Sequence, residues 1–467
     1  MAIQSKHPIV LSGFAAALWY VRFFSDPLRT LVKSYGTYGS FIQLPHPRLP
    51  HRPPRNFLVA VGADFNREVL GDPTTWRPAH LGPDGPANSA TRRLGAGLIR
   101  MVGRKHEHYR RLLVRPLHPQ NVNALGDKMV QVAEDEVESW PFDETIDLHS
   151  QAKRLMRTIA IGLLFGDDRV HGYPVVDMLS RKALWSLWAA FCPVNIPGTA
   201  YHRMLRDDVM LERDILEWAR CKRGSASEGD LLALLLSSSD EDGNPLSDQV
   251  IAGQVPTLFG ASYETCQNAL TWTLILLDQH PKLARALFDE LQAAGRGATP
   301  TFDRLVRLPL LTRFVQESMR LLPPVPQQVR VALRATTIAG YPTPPGSRVL
   351  LSSLLTNRNP DLYPEPDRFD PERWTRINPS PYEYAVFSAG PRSCPGYWFG
   401  LCAVKVALAA ILARYRVVVR SNTRIDYIVR ITMSPRRSIP AVLKHQDGAF
   451  KAAPIHGTIR NLVQLPN

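Results

Sequence analysis

The sequence predicts a mostly α-helical protein with a minor β portion, built as one large domain over residues 1–467. Three observations carry that prediction. From about residue 100 to 325, most segments repeat apolar residues every three or four positions, the helical period. Two stretches rich in proline and turn residues, 36–75 and 325–385, carry short β-type runs instead. No internal repeat, low-complexity tract or interdomain linker divides the chain.

The elements follow in order. IVLSGFAAALWYV, residues 9–21, is too short for a comfortable membrane span and is followed at once by Arg22. It reads as a first core helix, with a surface-seeking amphipathic helix as the alternative. SFIQLP and NFLVAV form a candidate hairpin around a proline-rich loop. HEHYRRLLVRPL, QAKRLMRTIAIGLLFG and YHRMLRDDVMLERDILEWARCKRG are helical, and the pattern over 249–280 is long enough to cross the whole molecule. A strand is expected at SRVLLSSLL, and LCAVKVALAAILARY is a strong helix. The helical core therefore covers roughly 100–325 and 397–415, with late strands at YRVVVR and IPAVLK.

Composition removes several classes of function. Five scattered cysteines, Cys192, Cys221, Cys266, Cys394 and Cys402, make no disulfide scaffold, and no zinc spacing occurs. Free thiols in a reducing compartment are expected. The net charge of +14 calls for a partner, but basic residues are spread along the chain and arginine outnumbers lysine. That pattern suits carboxylate binding, so an acidic protein or anionic cofactor fits better than nucleic acid.

Four constellations carry chemistry. In FSAGPRSCPGYWFG, residues 387–400, Cys394 precedes a helix whose N-terminal dipole favours a thiolate, with Arg392 nearby. Pro395 opens that helix and Gly396 lets the backbone approach something flat. A metal thiolate, a reactive thiol and a buried structural cysteine all remain open on this loop alone. In ESMR, Glu317 and Arg320 share one helical face, which is common on solvated surfaces; the apolar helix around them hints at burial, with Arg373 of PERW as a third partner. In ASYET, Ala261 and Ser262 are small, and Glu264 beside Thr265 is an acid–alcohol pair able to relay protons. The bland alternative is a surface glutamate and a threonine bonded to its own helix. In GRKHEHYRR, His106 and Arg110 are four apart and could donate together to a carboxylate, although such a run is more often a solvated basic face.

Taken together and in order, these motifs resemble the cytochrome P450 family of heme-thiolate monooxygenases, over nearly the whole chain. FSAGPRSCPG fits F-x-x-G-x-R-x-C-x-G at every defined position, and ESMR fits E-x-x-R. ASYET fits A-G-x-E/D-T except that Ser262 replaces glycine. HEHYR fits the bacterial H-x-x-x-R form. The resemblance implies a triangular-prism fold with heme b between the long central helix and the Cys-loop helix. It implies Cys394 as axial ligand of the heme iron, where an electron-rich sulfur favours O–O cleavage. His106, Arg110, Arg330 and Arg392 would bind the propionates, while Ala261, Phe387 and Gly396 pack on the heme. Glu317, Arg320 and Arg373 would form a structural network, and Glu264 with Thr265 would deliver protons. The substrate pocket would include Trp188, Phe259, Ser262, Val325, Gln327, Gln328 and Met433, with the two glutamines as candidate orienting groups.

The implied reaction inserts one oxygen atom from O2 into an apolar small molecule, terpenoid, steroid or fatty-acid-like. A peroxide-driven heme enzyme and a non-catalytic heme sensor are the competing readings, and the Glu264–Thr265 pair counts against both. No flavin or iron–sulfur motif occurs, so an acidic ferredoxin, flavodoxin or flavoprotein reductase would supply electrons at a basic surface near Arg104, Lys105 and Arg111. A cytoplasmic monomer is expected, without nucleic acid or an integral membrane span; residues 9–21 are the place for any peripheral membrane contact.

Overall fold

The apolar pattern predicted over 249–280 forms a single 32-residue helix, Asp248–Gln279, in the computed structural model. At 1.5 Å per residue it is about 48 Å long. Every residue from Cys266 to Gln279 is buried, as a helix apolar on all sides must be. It packs against helices Leu148–Leu164, Pro309–Leu321 and Tyr397–Arg414. The structure describes residues 7–45, 55–79, 83–166, 172–175, 177–179, 181–182, 189, 192–223, 230–295 and 297–466.

The predicted hairpin forms, with Phe41–Pro45 antiparallel to Asn56–Ala60 and Ile42 opposite Val59. It belongs to a six-stranded sheet whose order is Ile9–Val10, Phe41–Pro45, Asn56–Ala60, Arg348–Leu351, Gln328–Ala332, Trp76–Pro78. That sheet carries Arg330, paired with Val349 and Pro78, to the edge of the central cavity. SRVLLSSLL is only half strand. After Leu351 the hydroxyl of Ser352 accepts from Leu355 N–H at 3.2 Å and caps a helical turn over Ser353–Thr356, because serine competes for backbone donors at helix starts. A second sheet orders Tyr415–Val419, Pro440–His445 and Thr145–Asp147.

The first helix, Gly13–Ser25, carries a buried apolar face and an exposed one. Trp19 is buried, stacks on Phe23 at 4.8 Å between ring centres, and donates to Ser34 Oγ at 2.8 Å. Phe14, Val21 and Phe24 face outward, at 83%, 68% and 68% exposure. Among the described residues, Tyr397–Arg414 is long and apolar enough to cross a membrane, and it is a core helix buried from Cys402 to Leu412.

Candidate active site

Cys394 is delivered by a strained loop into a helix start. Gly390 has φ +69°, and a Cβ there would collide with the Leu70 carbonyl, so only glycine lets the loop pass. Ser388 also takes a positive φ of 57°. Cys394 N–H donates to Phe387 O at 2.8 Å, closing the loop beneath helix Tyr397–Arg414. The Sγ opens into a cavity between this helix and the long helix and is enclosed by protein elsewhere. Burial raises the thiol pKa, while the Gly396 N–H and the Arg110 charge pull it down. Arg392, the cation nearest in sequence, is not among the groups acting on the sulfur.

The cavity measures about 390 Å³, and its lining contains no aspartate or glutamate among the described residues. Four basic side chains line it nonetheless: His106 and Arg110 from helix Gly103–Leu117, Arg330 from its strand, and Arg392 from the cysteine loop. Their protein partners are neutral. Arg110 donates to Ser393 Oγ at 3.3 Å, Arg330 to Gln328 Oε1 at 2.7 Å, and Arg392 to Met101 O at 2.6 Å. The buried Arg392 Nε has no partner among the described residues. Burial, then the neighbouring Arg392 and Arg110, pull the His106 pKa down to about 4; burial and Arg392 pull Arg330 to about 10. Buried cations without a counter-charge are costly, so this lining is built for a buried anionic group.

On the opposite wall stand Ala261, Ser262 and Thr265. Thr265 Oγ1 donates back to Ala261 O at 2.9 Å, and Ser262 Oγ to Phe259 O at 3.0 Å, so both hydroxyls fold onto their own helix. Glu264 is not in the lining: its Oε1 accepts from Thr432 Oγ1 at 2.7 Å.

Glu317 and Arg320 are fully buried and bidentate, Oε2 to Nε at 2.8 Å and Oε1 to Nη2 at 2.9 Å. Arg373 Nε donates to Glu317 Oε1 at 3.2 Å and Trp374 Nε1 to Oε2 at 3.0 Å. Arg320 also ties down the Asn357 and Pro366 carbonyls.

Leu98, Ile99, Leu164, Leu231, Leu258 and Val325 form the apolar wall. Leu98 and Ile99 are held there by a close contact: a Cβ on Gly97 would strike Thr257 and the Gly253 carbonyl. The buried Gln254 Oε1 accepts from Leu98 N–H at 3.1 Å. Leu164, Leu231 and Gln254 were not among the expected site residues; their helical patterns show burial but not a shared cavity.

Several expected wall residues stand elsewhere. Phe259 is fully buried and stacks on Phe165 at 4.3 Å, because the helix turn that carries it faces a cluster with Trp218 and Tyr263. Met433 is fully buried, its backbone tied to Trp272 and Pro324, and is absent from the lining. Gln327 does not line the cavity. Gln328 does, but its Oε1 accepts from Arg330 and from Ser388, so it serves the cationic cluster and not an apolar guest. Trp188 lies outside the described residues.

A family model for cytochrome P450 matches residues 51–439. The chain belongs to the cytochrome P450 family. Cyclooctatin synthase of Streptomyces melanosporofaciens is 30% identical over 85% of this chain and 93% of its own length. Cyclooctat-9-en-7-ol 5-monooxygenase of the same organism is 28% identical over 87% and 88%. Pentalenene oxygenase of Streptomyces avermitilis is 27% identical over 73% and 79%. The retinoic acid-bound cyanobacterial CYP120A1 shares the fold, with TM-score 0.77 and 23% identity over 90% of this chain and 95% of that one. This P450 is thus a monooxygenase that uses heme as its cofactor. The site fits that group: a thiol at the cavity floor, an unpartnered buried guanidinium nitrogen, and cations without a carboxylate.

Proposed function

We propose that this P450 hydroxylates a polycyclic terpenoid; Cys394 would hold the heme iron through its thiolate, and His106, Arg110, Arg330 and Arg392 would hold the propionates. The observation that carries the reading is the cavity's division into a cationic, thiol-bearing part and an apolar wall free of acids. The named activities of the Streptomyces relatives support the terpenoid class over steroids or fatty acids.

Heme bound there supplies dioxygen activation: with two electrons and two protons, one oxygen atom enters a C–H bond of the substrate and the other leaves as water. The chain supplies the rest. Leu98, Ile99, Leu231 and Val325 orient the hydrocarbon and exclude bulk water. Thr265 holds a water at the reacting face, and Glu264 moves protons toward it. Glu317, Arg320 and Arg373 hold the cysteine side of the fold in register. The whole chain acts as one catalytic unit and a monomer. Electrons come from a separate acidic carrier that docks at the exposed Arg104, Lys105 and Arg111. The outward face of Phe14, Val21 and Phe24 is where we place peripheral membrane contact.

Two measurements test this. The reduced, CO-treated protein must show the red-shifted Soret band of a thiolate ligand, lost in Cys394→Ser; an unshifted band refutes the ligand assignment. A panel of cyclic di- and sesquiterpenes, steroids and fatty acids is then screened for substrate-induced spin-state change and for turnover with a ferredoxin system. A response confined to fatty acids overturns the terpenoid reading.

A further inference from the structure

The acid of the acid–alcohol pair does not face the cavity, and what holds it is a residue no motif includes. Glu264 Oε1 accepts from the Thr432 hydroxyl at 2.7 Å, across 168 positions of sequence. Thr432 is buried at the tip of a hairpin formed by Tyr427–Val429 and Met433–Pro435, next to Ile431, which is 61% exposed. Two backbone hydrogen bonds and one from a side chain fix that tip: Arg430 N–H to Thr432 O at 3.1 Å, Met433 N–H to Pro324 O at 2.8 Å, and the Trp272 indole Nε1–H to Met433 O at 3.1 Å. The hydroxyl therefore stands in a set place relative to the long helix, and a short donated bond to a carboxylate is strong.

Glu264, Asn268 and Trp272 lie at intervals of four, so they share one stripe of the helix. Trp272 and Glu264 both bind the hairpin, at Met433 and Thr432. Asn268, between them, is fully buried, and neither Oδ1 nor Nδ2 has a partner among the described residues. Buried amides are normally satisfied by an internal water where protein offers nothing. Asn268 stands one helical turn from Glu264, on the stripe whose other two members bind the hairpin.

We propose that Thr432 is a positioning residue for proton delivery: it fixes the Glu264 carboxylate at the hairpin, where a water held by Asn268 completes the link. The route thus enters between the long helix and the hairpin tip and reaches Thr265 through Glu264. This rests on the reading of Glu264 as the relaying acid. Thr432 touches neither substrate nor heme in this scheme and acts through Glu264 alone.

The holoenzyme variants Thr432→Val, Thr432→Ser, Glu264→Gln and Asn268→Leu test it with one substrate that shifts the spin state. Thr432→Val is expected to lower product formed per electron pair on the order of tenfold, with peroxide released instead and a larger solvent isotope effect on product formation. Its CO spectrum and substrate affinity stay as in the native protein, and Thr432→Ser restores coupling. A readout independent of turnover is the infrared carboxylate band obtained by subtracting the Glu264→Gln spectrum. That band moves in Thr432→Val and returns in Thr432→Ser. Asn268→Leu uncouples without moving the Thr432-dependent part of the band; unchanged coupling removes the Asn268 water from the route. Normal coupling in Thr432→Val while Glu264→Gln uncouples overturns the positioning role alone. Normal coupling in Glu264→Gln overturns the relay itself.

Discussion

Arg330 is where affinity for the cofactor and stability of the bare chain oppose each other most directly. It is 7% exposed, and burial with the adjacent Arg392 lowers its guanidinium pKa from 12.5 to about 10. A folded pKa below the unfolded one means that the charged form is disfavoured by folding. A drop of about 2.5 pH units corresponds to about 3 kcal/mol against the folded heme-free protein near neutral pH. Its hydrogen bond to Gln328 returns about 1 kcal/mol. Arg330→Met is therefore expected to stabilise the heme-free protein by about 2 kcal/mol, seen as a higher urea midpoint with unchanged slope. In the holoenzyme the same change would remove the charge-assisted bond to a propionate that we propose for Arg330, worth about 1.5–3 kcal/mol, so transfer of heme to a scavenging apoglobin should quicken roughly tenfold or more. A heme-free variant less stable than the native chain, or an unchanged rate of heme loss, refutes the electrostatic account.

Glu317→Gln leaves the buried Arg320 and Arg373 without their counter-charge and is expected to cost about 3–5 kcal/mol, measured by urea unfolding followed in the far ultraviolet. Burial pushes the Asp278 carboxyl up to about 6, against its bonds from Val419 N–H and Gln279. The folded chain thus binds that proton more tightly than the unfolded one, so the penalty is absent below about pH 4 and full above about pH 6. Asp278→Asn should then raise stability by about 1–2 kcal/mol at pH 7.5 and by nothing at pH 4, which thermal melts at both pH values would check. The first electron transfer from an acidic ferredoxin should slow as salt is raised from low ionic strength, and slow further in Arg111→Glu. A rate independent of salt in stopped-flow reduction removes the basic docking face.

Much of the site was legible because its residues sit in short, local patterns. FSAGPRSCPG places Cys394, Gly390 and Arg392 within one loop, and the helical spacings of ESMR and HEHYR survive any detail of packing. The pocket was less legible, since a cavity wall is assembled from helices far apart in sequence. Phe259 shows the limit: periodicity puts it on an apolar helix, but which neighbour takes that face is decided by Phe165 and Trp218. Glu264 shows another, because the hydroxyl that orients it comes from a hairpin without a signature. SRVLLSSLL failed as a continuous strand for a local reason, the capping serine at 352.

A Cβ on Gly97 would collide with Thr257 Oγ1 and the Gly253 carbonyl, which leaves no room for a side chain there, while a Cβ on Gly253 would crowd Arg93 O and Gly97 N at 3.0 and 3.1 Å. Mutational change in the cavity roof is therefore channelled. Positions 97 and 253 act as a fixed clasp between loop and helix, while Ile99, two residues on and 56% exposed, can vary in size without disturbing the clasp. A lineage of such enzymes would explore new hydrocarbon shapes through the residue beside the clasp and keep the clasp itself. Directed evolution of regiochemistry has the same short route open to it: saturate Ile99 first, and expect variants at Gly97 to be lost to misfolding before any product is seen.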